Sequence, residues 1–312
     1  MRLEELIFTY AEAMKARYGR RVFRVGLSTG IECPHRAKGG CIFCNPDSFR
    51  GNYQTQDNSL EKQLYIGKAI IRKHCDAERF IAYFQDETST AGEPEMLKAL
   101  FKTAAADPEV VELVVSTRPD YVNEEILTIL QGLVKPVRLE LGLQSIHDRS
   151  LNYLNRGHSF ADCEKAVKMC RRFSISVGVH LIMGIPGETL SDMIETVQWV
   201  SAQKEIVEIK FHNLVIYKGT RLAEMWNNGE VTQMPVEEYI ELLSEIIPFI
   251  RKDIILSRLF TSNILHNDLA VDQVNGNKTK WLNALRLRLE KKNYYQGIMN
   301  PSPYHFVRTS DG

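Results

Sequence analysis

Apolar residues return at helical spacing through Leu3, Leu6, Ile7, Tyr10 and Met14, which predicts an amphipathic helix over residues 2–18 before a first strand, VFRVGLS. From residue 57 the pattern alternates between helical and extended periods. It gives a helix to about 74, strand RFIAYF, helix 94–105, strand VVELVVS, helix 123–132 and strand VRLELGLQ. Two short helices over 147–172 follow, then strand SVGVHLIM, helix 188–203, strand VEIKFHNL and helix 220–228. Such alternation builds βαβ units and a parallel sheet, and six units fit between residues 22 and 230. Past residue 230 the pattern changes to a helix at 235–250, a strand DIILSRLF, a loop and a helix at 277–292. The chain therefore divides into a main domain over 1–230 and an extension over 231–312 packed on it.

The faces of the strands decide between an open sheet and a barrel. In VRLELGLQ, Val137, Leu139, Leu141 and Leu143 share one face while Arg138, Glu140, Gly142 and Gln144 share the other. Gly178 and His180 likewise share a face, as do Lys210 and His212. A doubly wound sheet covered on both sides shows near-continuous apolar runs at such places. An edge strand facing water explains one polar face but not three. The expected fold is α/β: a partial (β/α)6 TIM-like barrel of parallel strands with a partly polar lumen, an N-terminal helix and a small C-terminal α/β extension.

Composition narrows the function classes. Of 312 residues, 44% are hydrophobic and 25% charged, as in ordinary globular chains, and 39 basic residues balance 39 acidic ones. That balance lacks the broad footprint of general nucleic-acid or anionic-membrane binding. The N-terminus carries charges through its apolar positions, unlike a signal peptide, and no run reaches bilayer length. A cytoplasmic location with no membrane partner is expected, where clustered cysteines serve as ligands or catalysts more often than as disulfides.

Cys33, Cys41 and Cys44 form such a cluster, spaced C-x7-C-x2-C directly after the first strand. Three readings stand. A non-catalytic zinc module would close four ligands by adding His35, two residues past Cys33. A 4Fe-4S cluster held by three thiolates would keep one iron open for a substrate or cofactor. A barrel enzyme with one cysteine nucleophile would leave two thiols incidental. Cys75, Cys163 and Cys170 lie in helical patterns and read as core or surface thiols.

The segments GGCIFCNPDSF, IAYFQDETST, VSTRPDYV, LELGLQSIHDRSLNYLNRGHSF, VGVHLIMGIPGET and KFHNLVIYKGTRLAEM stand in register from roughly residue 18 to 226. Together they resemble the elongator-like group of the radical S-adenosylmethionine (SAM) superfamily, in its short YhcC-type branch, and the C-terminal WLNALRLRLEKKNYYQG is similar to it too. The gap between the first two cysteines is shorter than that family usually has.

The resemblance implies an enzyme with a 4Fe-4S cluster on Cys33, Cys41 and Cys44 within a loop at 31–49. It would cleave SAM reductively to a 5′-deoxyadenosyl radical that acts on an unknown substrate, RNA or tRNA by analogy. A reductant protein such as flavodoxin or ferredoxin would be a partner. Phe43 would flank adenine, and Glu87 and Thr88, in QDETST, would lie at the cofactor's amino group, although Asp86 to Ser89 equally suit a cap on the helix starting near Pro94. Ser116 and Arg118 would approach the ribose or substrate, with an Arg118–Asp120 pair as the alternative. Glu140 would contact the amino-acid end or the sugar, and Arg156 the carboxylate, with His158 capping the next helix or orienting the arginine. Gly184 and Gly187 would edge the adenine, before Glu188 and Thr189 open a helix. His180, Lys210, His212, Asn213, Tyr217 and Lys218 are candidates for the substrate side, and His266 and Asp268 for a loop over the mouth.

Overall fold

Among the described residues, seven strands, all parallel and hydrogen-bonded in chain order, form one sheet curved into a half-barrel. The computed structural model describes residues 1–48, 50–55, 57–86, 88–261, 269–271 and 277–300. In order the main elements are α1 (Tyr10–Tyr18), β1 (Phe23–Leu27), α2 (Leu60–Arg72), β2 (Phe80–Phe84), α3 (Pro94–Ala106), β3 (Val110–Thr117) and α4 (Glu124–Gln131). There follow β4 (Val137–Gln144), α5 (Asp148–Tyr153), α6 (Phe160–Arg172), β5 (Ser176–Met183), α7 (Leu190–Ala202) and β6 (Ile206–Asn213). The chain continues with α8 (Arg221–Asn227), α9 (Val236–Ile246), β7 (Ile255–Arg258) and α10 (Lys278–Lys292).

Two expectations are refined. The strand of the C-terminal extension pairs with β6 in parallel, Glu208 beside Ile255 and Lys210 beside Arg258, so it becomes a seventh strand of the same sheet. The helix read over 2–18 is a short 3-10 turn, Leu3–Glu5, followed by α1. Its interruption has a cause in the sequence: Thr9 and Glu12 form a capping box that starts α1 afresh. The freed backbone at Phe8 then accepts from Leu256 N at 2.9 Å, lying along β7.

The two faces of the sheet separate as their patterns require. Leu139, Leu141 and Leu143 of β4 are buried under the helical layer, in one apolar core with Leu127, Leu130, Cys163 and Val167. The opposite face turns into the lumen, where Arg138 and Glu140 are 2% and 1% exposed. Carboxylates and cations alternate through it. Glu112 accepts from Arg17 and Tyr18 and pairs with Arg138 at 3.1 Å, and Glu208 pairs with Arg138 at 2.8 Å and with Arg24. Arg24 continues to Glu140 at 2.9 Å. The second Glu140 oxygen takes His180 at 2.9 Å and Lys210 at 2.5 Å. A buried ion pair costs several kcal/mol per ion in desolvation and survives only when its partners are well placed, which is why these charges come as a chain.

Candidate active site

Above this ion chain, the carboxyl ends of the strands open into a cavity of about 440 Å³. Catalytic sites of parallel barrels lie at this end because the loops there converge from many strands. Cys33, Cys41 and Cys44 all line it, together with groups from the ends of β2 to β7.

The cysteine loop is strapped to the loop that follows α5. His35 Nε2 lies 2.6 Å from Asn155 O, Asn155 Nδ2 donates to Gly40 O at 2.6 Å, and Ile42 N donates to Leu154 O at 3.1 Å. Ile42 O in turn accepts from Leu222 N at 2.9 Å, and the Ile42 side chain is buried among Leu154, Ile182, Ile216 and Leu222. Glycine is required at 157, where φ is +65° and a Cβ would stand 2.4 Å from the His35 ring.

Two sulfurs receive donors: Arg156 Nη1 reaches Cys41 Sγ at 3.1 Å and Thr88 Oγ1 reaches Cys33 Sγ at 3.2 Å. Arg156 is otherwise fixed by Gly142 O at 2.9 Å and by His158 Nε2, which accepts from its Nε at 3.3 Å. A Cβ at residue 142 would sit 2.8 Å from Arg156 Nη2, so the missing side chain makes room for the guanidinium. Burial, then the neighbouring Arg156 charge, push His158 down to about 4, leaving it neutral and able to accept. The helix after it is capped by Ser159 instead, so of the two roles foreseen for His158 it is the orientation of Arg156 that the geometry contains.

The remaining wall is polar. Arg118 makes the foreseen fork to Asp120, both bonds 3.0 Å, and also lines the cavity, where its buried Nη1 has no hydrogen-bond partner. His180 and His212 stack with centroids 5.3 Å apart, and the buried Nε2 of His212 lacks a partner. Lys210 reaches Tyr83 Oη at 3.0 Å. Burial and the Arg24 charge bring Lys210 down to about 7. Burial alone would raise Glu140, but Lys210, Arg24 and His180 outweigh it and hold the carboxyl well below the usual range.

Phe43, Ser116, Arg118, Arg156, His180, His212, Asn213 and Tyr217 thus meet in one place, with the three cysteines. Glu140 lies beneath, both oxygens taken by the ion chain. Thr88 is buried behind Cys33. Gly184 and Gly187 hold positive φ of +80° and +87° in the turn before α7, outside the cavity lining, and Thr189 caps that helix. Lys218 is exposed, its carbonyl accepting from Asn45. Cys163 and Cys170 are buried in α6, each pushed up to about 12 by burial, and neither they nor Cys75 line the cavity. Glu87, His266 and Asp268 lie outside the described residues.

Among the described residues the cap proposed for QDETST is not formed: α3 starts at Pro94, and its N-cap Glu93 makes no side-chain cap bond. Asp86 instead accepts from Thr29 N at 2.6 Å and from Ser28 Oγ at 3.1 Å, tying β2 to the start of the cysteine loop. Several lining groups were not named as site residues from the sequence, among them Tyr83, Arg258 and Gln144, the last read only as part of the polar face of its strand. Tyr83 and Arg258 lie within apolar strands where one polar residue is easily read as incidental. Gln144 takes φ of 67° at a break in the β4–β5 register, which no pattern announces.

A parallel half-barrel with a cysteine loop after its first strand and a polar mouth defines a partial-barrel enzyme architecture. This chain belongs to the radical SAM superfamily: the superfamily model matches residues 27–200, and the Radical_SAM C-terminal domain model matches 206–291. It is 34% identical to protein YhcC of Escherichia coli K12 over 271 residues, 84% of this chain and 85% of that protein. It is 30% identical to the tRNA uridine(34) acetyltransferase of Methanocaldococcus infernus over 212 residues, 62% of this chain and 39% of that protein. The solved structure of the archaeal Methanocaldococcus infernus Elp3 with an N-terminal deletion superposes with a TM-score of 0.67 at 22% identity, over 88% of this chain and 64% of that one. The chain therefore spans less than two thirds of the length of each of these last two proteins. It is a radical SAM enzyme, of a superfamily that uses a 4Fe-4S cluster and SAM. Among the described residues no helix is long and apolar enough to cross a membrane.

Proposed function

We propose that Cys33, Cys41 and Cys44 hold a 4Fe-4S cluster by three of its irons and that SAM occupies the adjoining cavity. The observation that carries this reading is the convergence of the three thiols on one polar cavity, two of them already receiving donors of the kind that suit thiolate sulfur. With both groups bound, one electron from the reduced cluster would cleave SAM to methionine and a 5′-deoxyadenosyl radical able to abstract hydrogen from a substrate. The chain's own residues do the rest. The straps to Asn155 and Leu154 fix the loop, Arg156 lies over Cys41, and the partnerless Nη1 of Arg118 suits the SAM carboxylate. The half-buried Phe43 offers a flank for adenine at the rim. A flavodoxin or ferredoxin would supply the electron.

The zinc reading is less well supported. Tetrahedral zinc–thiolate bonds of about 2.3 Å would bring the sulfurs within about 4 Å of one another. Among the described residues the three cysteines are not within 4.8 Å of one another as a set; the group that is, His147, Asp192 and Glu195, lies elsewhere. For substrate, the tRNA-acting relative supports RNA, whereas the charge balance of the chain adds nothing to it.

The test is anaerobic reconstitution with iron and sulfide, followed by assay of 5′-deoxyadenosine in the presence of SAM and a strong reductant. The wild-type chain is expected to form it and Cys41→Ala to form none. Zinc without sulfide-bridged iron, or unchanged product from Cys41→Ala, would refute the reading.

A further inference from the structure

At the end of the sheet remote from the cysteine loop in strand order, Arg258 on β7 lines the same cavity. No carboxylate among the described residues pairs with it. Its neighbours make that isolation costly. Arg258 bears on His212, His180, Lys210 and Lys278, in each of which burial comes first and a nearby positive charge depresses the protonated form further. Glu140, the acid that serves this end of the lumen, is already divided among Arg24, His180 and Lys210. Beside Arg258, His212 keeps a buried Nε2 without a partner. The described lining of the cavity includes Arg118, Arg156 and Arg258 and one carboxylate, Asp86, whose Oδ2 accepts from Ser28 and Thr29 and whose Oδ1 lies 3.7 Å from Arg50, on the side of the cysteine loop.

A guanidinium without a carboxylate partner among the described residues, beside a buried ring nitrogen left unpaired, is the arrangement that binds an anion. We propose that the β6–β7 end of the cavity is a subsite for an oxyanion of the substrate, a carboxylate or a phosphate, paired with Arg258 and hydrogen-bonded by His212 in its Nε2–H tautomer. This rests on the reading that the cysteine end of the cavity is taken by the cluster and SAM, since Arg118 and Arg156 then belong to the cofactor and Arg258 does not.

Inorganic phosphate is the probe, titrated calorimetrically into cluster-reconstituted protein saturated with SAM. Wild type is expected to bind it, Arg258→Lys to retain binding within a few-fold, and Arg258→Gln to weaken it about tenfold or more. Displacement of the phosphate by an RNA hairpin would assign the anion to a phosphodiester, and displacement by succinate would assign it to a small acid. Phosphate binding that is absent in wild type, or equal in Arg258→Gln, would overturn the proposal. So would SAM that competes with phosphate and loses affinity in Arg258→Gln, because the subsite would then be the cofactor's. Cluster content and 5′-deoxyadenosine formation, measured on the same samples, report the cofactor reading separately, so failure of one is not mistaken for failure of the other.

Discussion

The lumen and the mouth of this half-barrel are built from the same faces of the same strands, yet they treat charge in opposite ways. In the lumen, Glu112, Glu140 and Glu208 share Arg17, Arg24, Arg138 and Lys210 until each carboxylate has at least two cationic contacts. At the mouth, Arg118 Nη1 and His212 Nε2 are buried without partners, and three thiols crowd a cavity wall. Polar residues inside a barrel are therefore no mark of a site in themselves. Side chains whose charge is paired inside the lumen support the fold, although single buried atoms such as Arg138 Nε make no hydrogen bond there, and groups left unmatched around the open cavity are where a ligand supplies the missing partner.

The comparison can be broken by mutation. Glu208→Ala leaves Arg24 and Arg138 buried and short of an anion, and should lower unfolding stability by about 3–5 kcal/mol in urea titrations. The protein that remains folded should take up iron normally; lost iron at unchanged stability would mean that lumen and mouth are not separable. Gly157→Ala imposes a left-handed φ of +65° on alanine and drives a Cβ into the His35 ring. It should cost about 1–3 kcal/mol and, unlike Glu208→Ala, reduce iron retention, because it loosens the strap on the cysteine loop.

The effect that starts smallest, near zero at pH 7, is one of pH. Burial and Arg24 hold Lys210 down to about 7 in the folded chain, against 10.5 ordinarily. Between these values the unfolded chain binds more protons, so stability contributed by this group rises with pH from about 7 to about 10.5 and is level below 7. Relative to Lys210→Met, the wild type should gain stability across that window, by at most about 1.4 kcal/mol per pH unit. A gap between the two that stays constant from pH 7 to 10 would show that Lys210 keeps its proton in the fold.

Much of this was legible beforehand, for reasons that can be named. The strands VRLELGLQ and SVGVHLIM end where they were read, because alternation in one and a sharp glycine turn after the other bound them. The polar face of β4 correctly announced a lumen. What it could not announce was the partner of each charge: Arg24, Glu112 and Glu208 come from strands far apart in sequence, and pairing across a barrel leaves no local trace. For the same reason nothing in the sequence showed that Arg24, His180 and Lys210, from β1, β5 and β6, surround Glu140. The capping box at Thr9 and Glu12 was visible and would have split the first helix. The strap from His35 to Asn155 spans 120 residues and only the fold reveals it.

The central claim is that the mouth is completed by a cluster with one iron open to SAM. Electron paramagnetic resonance of the reduced, reconstituted protein tests it most directly, recorded before and after addition of SAM. The account predicts a 4Fe-4S signal that changes on addition of SAM and is lost in Cys33→Ala, Cys41→Ala and Cys44→Ala alike. A cluster whose signal ignores SAM, or one that persists when any of the three cysteines is removed, would contradict it.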